Sequence, residues 1–409
     1  MDRPFPIGFP PATILYLVLY VVTLAVHVVF MNYVLAGTAY LFLVGVRRGR
    51  ESAHIVADRL RDWMPFALGV AITAGVAPLL FVQILYKENF YTANLLLLHR
   101  WMAIVPVLIV GFYMMYVMKT AWLAERGPLL RRLVALIVLA CVCFTGWSWV
   151  ENHLLSLDQG AWSTMYTAKS TFYANPTLAP RLGVLAFGAL PTMAMLVAWQ
   201  ILGTPRVRAA AGPRDLRRLA AVAIIGLAGV AACSTWYVSV ADERTRSALT
   251  GRLVGGYLVL ALLGIVMQIV GWKLMLQRGR FSVSRLTAAS IGLGLTILSM
   301  TVVREGIRLA HVDITALYAQ HQDALGRGGM WVFLAFLAIN AGLIAWAIRI
   351  GRRAIVDKVA VATQNPEQGG HEAVAATPSL ADGPVDQVPL SEPPTLERPG
   401  PTPSGDVTT

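Results

Sequence analysis

Residues 12–46 read ATILYLVLYVVTLAVHVVFMNYVLAGTAYLFLVGV, an apolar run with no Asp, Glu, Lys or Arg and one histidine, His27, near its middle. A run longer than the about 20 residues needed to cross a hydrocarbon core predicts a transmembrane helix. The same test along the chain gives further spans at 64–86, 95–122, 130–152, 182–202, 216–240, 252–276, 285–311 and 330–350. Continuous apolar runs exclude a membrane β-barrel, whose strands alternate over about 10 residues. The expected fold is an all-α polytopic membrane bundle of about nine transmembrane helices.

Composition agrees, since 56% of residues are hydrophobic and 14% charged, where a soluble domain carries roughly one quarter charged. The net charge of +12 is gathered into clusters that follow alternate spans: Arg47, Arg48 and Arg50; Arg126, Arg131 and Arg132; Arg206, Arg208, Arg214, Arg217 and Arg218; Arg278, Arg280 and Arg285; Arg349, Arg352 and Arg353. Lys and Arg concentrate in cytoplasmic loops, so this alternation puts the N-terminus outside and the C-terminus in the cytoplasm. Arg244, Arg246 and Arg252 fall in an opposite loop and weaken the pattern. The charge is accounted for by topology and anionic lipid headgroups, and no nucleic-acid partner is read from it.

Residues 1–358 form the expected membrane domain. From 359 onward, TQNPEQGG, PSLADGPVDQ and PPTLERPGPTPSG are rich in Pro, Gly and acids, so 359–409 is expected to be a disordered cytoplasmic tail. The opening MDRPFPIGFPP lacks a basic n-region and a small-residue cleavage site, and the first span is expected to remain in the mature protein. Cys141 and Cys143 lie on different faces of one span and Cys233 in another, which suggests neither a disulfide framework nor a zinc site. No Walker A, GxGxxG, HExxH or GxSxG motif is present, which removes the main support for nucleotide-driven and hydrolytic functions.

The chemistry must then lie in polar groups set against the membrane. His27 sits at mid-span, where an ionisable side chain marks a ligand, a relay or a substrate path; haem iron is the favoured partner. On the assigned topology His99, His153, His311 and His321 collect at the outer face, while His54 and His371 fall in a loop and the tail. In the eighth span, SMTVVREGIRLAH, the helical period puts Met300, Arg304, Arg308 and His311 on one stripe with Glu305 beside it. Two arginines in hydrocarbon need anionic partners, and haem propionates, a quinone oxygen or Glu151 could serve. A thioether at Met300 could be an axial ligand or plain core packing. Gly69, Gly75 and Pro78 in the second span allow close packing and a kink, and Trp147, Trp149 and Trp162 read first as interfacial belt residues.

The runs HVVFMNYVLAG, GVAPLLFVQILYKENFYT, ENHLLSLDQGAWSTMY and NPTLAPRLGVLAFGAL resemble a group of bacterial membrane proteins distantly related to subunit I of cytochrome bd quinol oxidase. The resemblance covers about the first half of the chain. It implies nine spans, an outside N-terminus, haems near the outer face, residence in the bacterial inner membrane, and His27 as the haem ligand of the first span. Asn152 and Trp162 match recurrent residues of those relatives. Three features depart from the family: no histidine follows Arg181 in the fifth span, the GRQPW hallmark and the long outer quinol loop are absent, and the third span holds no carboxylate.

The resemblance and its departures together imply a haem- or quinol-linked electron-transfer subunit, working with other membrane or periplasmic subunits, rather than a complete oxygen-reducing oxidase. The expected site is a haem b with His27 on the iron, His99, His153, His311 or Met300 as further ligands, and Arg304 and Arg308 on the propionates; a quinone or quinol is the second expected cofactor. The alternative from another class is a non-haem transporter or a structural membrane anchor that has lost its cofactors.

Overall fold

The structure, a computed structural model, describes residues 8–44 and 55–364, with side chains as far as 353. The described residues form helices and no strands, and nine of the helices are long and apolar enough to cross a membrane. The protein is an all-α polytopic membrane bundle.

Two units divide at Gly328. The first holds eight long helices: α1 (Pro11–Val44), α2 (Ile55–Leu85), α4 (Leu98–Val117), α6 (Pro128–Leu157), α8 (Leu178–Gly203), α10 (Pro213–Val240), α12 (Arg252–Arg278) and α13 (Val283–His311). Short helices occupy their connections: α3 (Lys87–Leu96), α5 (Ala121–Ala124), α7 (Gln159–Ala168), α9 (Pro205–Ala210), α11 (Glu243–Thr250) and α14 (Ile314–Leu325). The second unit contains one further helix, α15 (Gly329–Gln364), whose stretch Gly329–Arg353 is long and apolar enough to span a membrane.

Local sequence sets the ends of these helices. Pro128, Pro205 and Pro213 occupy first-turn positions, where the missing N–H costs nothing. Asp242 accepts from the Thr245 amide at 2.8 Å to start α11, and Asp313 accepts from Thr315 and Ala316 amides to start α14, each satisfying orphan donors. Gly279, at φ +62°, closes α12 in the left-handed conformation that glycine adopts without strain.

Burial in the first unit separates a packed interior from a lipid-facing exterior. Val18, Val22 and Val26 recur every fourth residue on α1 and are exposed, the stripe expected of a helix covered by acyl chains. Leu60 and Met64 of α2, Met193 and Val197 of α8, Leu216 and Ala220 of α10, and Trp272 of α12 fill the core. The closest helix contact joins α12 to α13 through facing glycines. A Cβ on Gly264 would stand 2.4 Å from the Gly292 carbonyl oxygen, and one on Gly292 would stand 2.7 Å from that of Gly264. Small residues are what allow backbones to meet in lipid.

Contacts also identify the two ends of the bundle. At one end the start of α1 meets α14 through Thr13 and His321, Tyr86 beyond α2 meets Glu305 of α13, and Arg181 of α8 meets Tyr237 of α10; this is called the polar end. The other, basic end carries Arg59, Arg61, Lys119 and the arginines of α9, early α10 and late α12, and Lys119 Nζ there donates to the Asp62 carbonyl at 3.3 Å.

Several boundaries differ from the sequence expectation, with physical reasons. The second span starts at Ile55 instead of 64 because Arg61 pairs with Asp58 and Asp62 at 3.1 Å on the helix itself. The third span is shorter than 95–122, running Leu98–Val117, with α3 a separate helix before it. Helix α6 continues past 152 to Leu157, since its polar residues there are buried against partners. Helix α15 is described as far as Gln364, past the compositional boundary at 359. Arg47, Arg48, Arg50, His54, His371 and the tail after 364 lie outside the described residues.

Candidate functional site at the polar end

The REGIR segment of α13 builds the centre of the site. Arg308 and Glu305, one turn apart, are 4% exposed each and form an ion pair with 3.7 Å between Nε and Oε2. Two unpaired charges would be untenable at that burial. Tyr86 donates its hydroxyl to Glu305 Oε1 in a short hydrogen bond, and the Arg308 guanidinium lies 4.5 Å over the Tyr86 ring. Across the interface on α1, the Tyr20 oxygen accepts from Arg304 Nη1 at 3.1 Å and from Arg308 Nη2 at 3.3 Å. Of the protein partners expected for these arginines, Glu151 pairs elsewhere, and the carboxylate that meets Arg308 is Glu305, on the face beside the arginine stripe.

His153 enters from α6. Its Nδ1 lies 3.3 Å from Arg308 Nη2, and because arginine can only donate, Nδ1 accepts and Nε2 carries the proton. That Nε2–H is buried without a hydrogen-bond partner among the described residues, as is Arg308 Nη1.

Glu151, two residues before His153 on α6, is committed elsewhere. It is fully buried, pairs with Arg100 of α4, and accepts from the Tyr173 amide at 2.9 Å. Arg100 lies 4.6 Å over the Trp147 ring and donates to the Thr171 carbonyl at 3.0 Å. The pair thereby straps segment 171–173 over the ends of α4 and α6. Burial pushes the Tyr173 hydroxyl above the usual phenol range, which keeps it a donor to Asp158 Oδ2 at 2.7 Å. Asn152 donates to Asn94 at 2.6 Å and Trp162 to the Leu155 carbonyl at 2.8 Å, so Trp162 anchors α7 in addition to lying near an interface.

His27 lies on the face of α1 that also carries Tyr20, seven residues or about 10 Å along the axis. Its Nδ1 is 2.9 Å from the Ala71 carbonyl, so Nδ1 donates and Nε2 keeps its lone pair. Gly75 makes room for the ring: a Cβ there would stand 2.9 Å from His27 Nδ1 and Cε1. A histidine whose second nitrogen donates to a backbone carbonyl has the arrangement usual in metal-ligating imidazoles.

The remaining expected ligands are spread apart. His99 is exposed on α4, and Met300 is 36% exposed on the outside of α13, so the helical stripe that links it to Arg304 and Arg308 turns out of the core at that end. His311 bonds Thr245 Oγ1 at 3.0 Å with Asp242 at 3.7 Å. His321, outside the expected ligand set, is held on both nitrogens, by Thr13 Oγ1 at 2.6 Å and the Leu85 carbonyl at 3.1 Å. Three of the four expected outer histidines thus make contacts at the polar end without sharing a site. No group of three or more His, Cys, Asp or Glu that could hold a bare metal ion occurs among the described residues, and Cys141, Cys143 and Cys233 are free.

Sequence reasoning missed Tyr20, Tyr86, Asn94 and Arg100. Arg100 had a readable signal, a cation inside an apolar run next to His99; the two tyrosines had none, since tyrosine is common near any membrane interface. No family model, curated protein or solved structure matches this chain.

Proposed function

We propose that the chain is the haem-carrying membrane subunit of a bacterial electron-transfer complex, with a b-type haem held by His27 between α1 and α2. One observation carries the reading: the His27 imidazole is fixed by the Ala71 carbonyl and the Gly75 gap, with Nε2 left for iron. Arg304 adds to it. This cation donates to Tyr20, two turns from His27 on the same face of α1, and has no carboxylate within 4 Å among the described residues, as an arginine accompanying a propionate would. A bound haem would supply one-electron transfer at its iron. The resemblance of the first-span and second-span runs to cytochrome bd subunit I supports the same ligand, and the basic loops support an inner-membrane orientation with the polar end outside. Quinol is the reductant class the resemblance implies, and further electron-transfer subunits are the partners.

A non-haem transporter or anchor is the second reading, favoured by the exposure of His99 and Met300, which leaves His27 without a second ligand from that pair. Haem content of the purified protein separates the two. The haem reading expects His27→Ala to lose the haem while His99→Ala and Met300→Leu keep it; haem-free wild type prepared from haem-replete cells leaves the transporter or anchor.

A further inference from the structure

A groove of about 740 Å³ opens at the basic end between α10 and α12, lined by Pro213, Leu216, Arg217, Ala221, Ile224 and Ile225 on one side and by Leu276 and Gly279 on the other. Its size is that of a small-molecule site, roughly 300–1,000 Å³, but its character is graded. Pro213, Arg217, Ala221 and Ile225 recur at four-residue spacing and lie on one stripe of α10. The stripe is polar at its first turn and wholly apolar from Ala221 onward.

The length of the stripe fits one leaflet. From Pro213 to Ile225 the helix advances about 18 Å, slightly more than half of a hydrocarbon core of about 30 Å. Ile224 and Ile225 are 39% and 58% exposed, so the apolar floor needs an acyl chain or another apolar cover along its length.

Charge at the mouth names the headgroup. Arg217 lines the mouth, Arg214 precedes it by one turn on α10, and Arg278 and Arg280 flank the lining Gly279 in sequence; none of the four has a carboxylate within 4 Å among the described residues. The neighbouring acid is already used: Asp215 is buried, accepts from the Gly212 amide at 3.1 Å and pairs with Arg218 at 3.6 Å. A cationic mouth leading to an apolar slot one leaflet deep is complementary to a single kind of amphiphile. We propose that the α10–α12 groove holds a resident anionic phospholipid, its phosphate on Arg214 and Arg217 and one acyl chain along Ala221, Ile224 and Ile225. Basic pockets between transmembrane helices recognise lipid headgroups in this manner. The site is remote from His27 and independent of the haem reading.

The test is native mass spectrometry of the full chain, delipidated in detergent and titrated with dioleoyl phosphatidylglycerol or dioleoyl phosphatidylcholine. One phosphatidylglycerol is expected to bind in preference to phosphatidylcholine. Each arginine near a charged headgroup contributes about 1 kcal/mol, or about fivefold, so Arg217→Ala is expected to weaken phosphatidylglycerol about fivefold and the Arg214→Ala/Arg217→Ala pair about 25-fold. Ala221→Phe, an exposed position, blocks the slot and is expected to weaken the lipid with every charge retained. Arg206→Ala/Arg208→Ala on α9 removes the same charge outside the groove and is expected to leave binding unchanged, with the unfolding temperature of each variant confirming the fold. Equal retention of the two lipids, an equal loss in the α9 variant, or a dimer that closes the groove without lipid overturns the proposal.

Discussion

Replacing Glu305 by Leu removes one partner of a buried pair and leaves Arg308, at 4% exposure, facing Tyr20 and His153 with no carboxylate. Breaking a buried ion pair from one side costs about 3–5 kcal/mol. Arg308→Leu should cost a similar amount, since it strands Glu305 and takes the donor from His153 Nδ1. The double replacement strands no charge. It still leaves the Tyr86 hydroxyl without its acceptor and His153 Nδ1 without its donor, as Arg308→Leu alone does, at about 1–3 kcal/mol for each buried unsatisfied group, while Tyr20 keeps its bond from Arg304. The double variant should therefore be more stable than either single, with a coupling energy of about 3 kcal/mol or more. Reversible unfolding of the four proteins in mixed micelles, followed by tryptophan fluorescence, measures the cycle. Additive losses, or singles that cost less than 1 kcal/mol, would refute the description of Glu305 and Arg308 as a desolvated pair.

Two other perturbations follow from local geometry. Gly264→Leu drives a side chain into the Gly292 carbonyl and should destabilise the bundle by about 1–3 kcal/mol or more, whereas Gly294→Ala, which meets open space, should leave the unfolding midpoint in place. Burial holds the His321 imidazole below the usual histidine range, against the Leu85 carbonyl bond that favours the charged form; the folded state thus binds its proton less readily than the unfolded chain, so stability should be full above pH about 6.5 and fall as pH drops below it. The check is the unfolding midpoint from pH 7.5 to 5, in which His321→Gln should flatten the slope.

The nine spans were legible because a hydrocarbon core demands long apolar helices whatever they pack against. Their ends were less so. Asp58, Arg61 and Asp62 read as loop charges, yet they pair along α2, a saving that hydropathy does not count. In the site, the charged members were visible, since any arginine or glutamate inside a span stands out. Their partners were not. Tyr86 and Glu305 are 219 residues apart and Arg308 and His153 155 apart, and such contacts depend on which helices neighbour one another. The stripe of Met300, Arg304, Arg308 and His311 was a correct statement of helical spacing that failed as a shared environment, because the turn holding Met300 faces out while the turn holding Arg308 faces in.

The central claim is that His27 ligates haem iron, and the reduced-minus-oxidised visible spectrum of the purified protein tests it most directly. A Soret and α-band signal is expected in the wild type. Loss of that signal is expected in His27→Ala, and a shifted or weakened one in Gly75→Ala, where the added methyl presses on the imidazole. A signal unchanged by both substitutions, or no signal in protein from haem-replete cells, would contradict the account and leave His27 as a packing residue bonded to the Ala71 carbonyl.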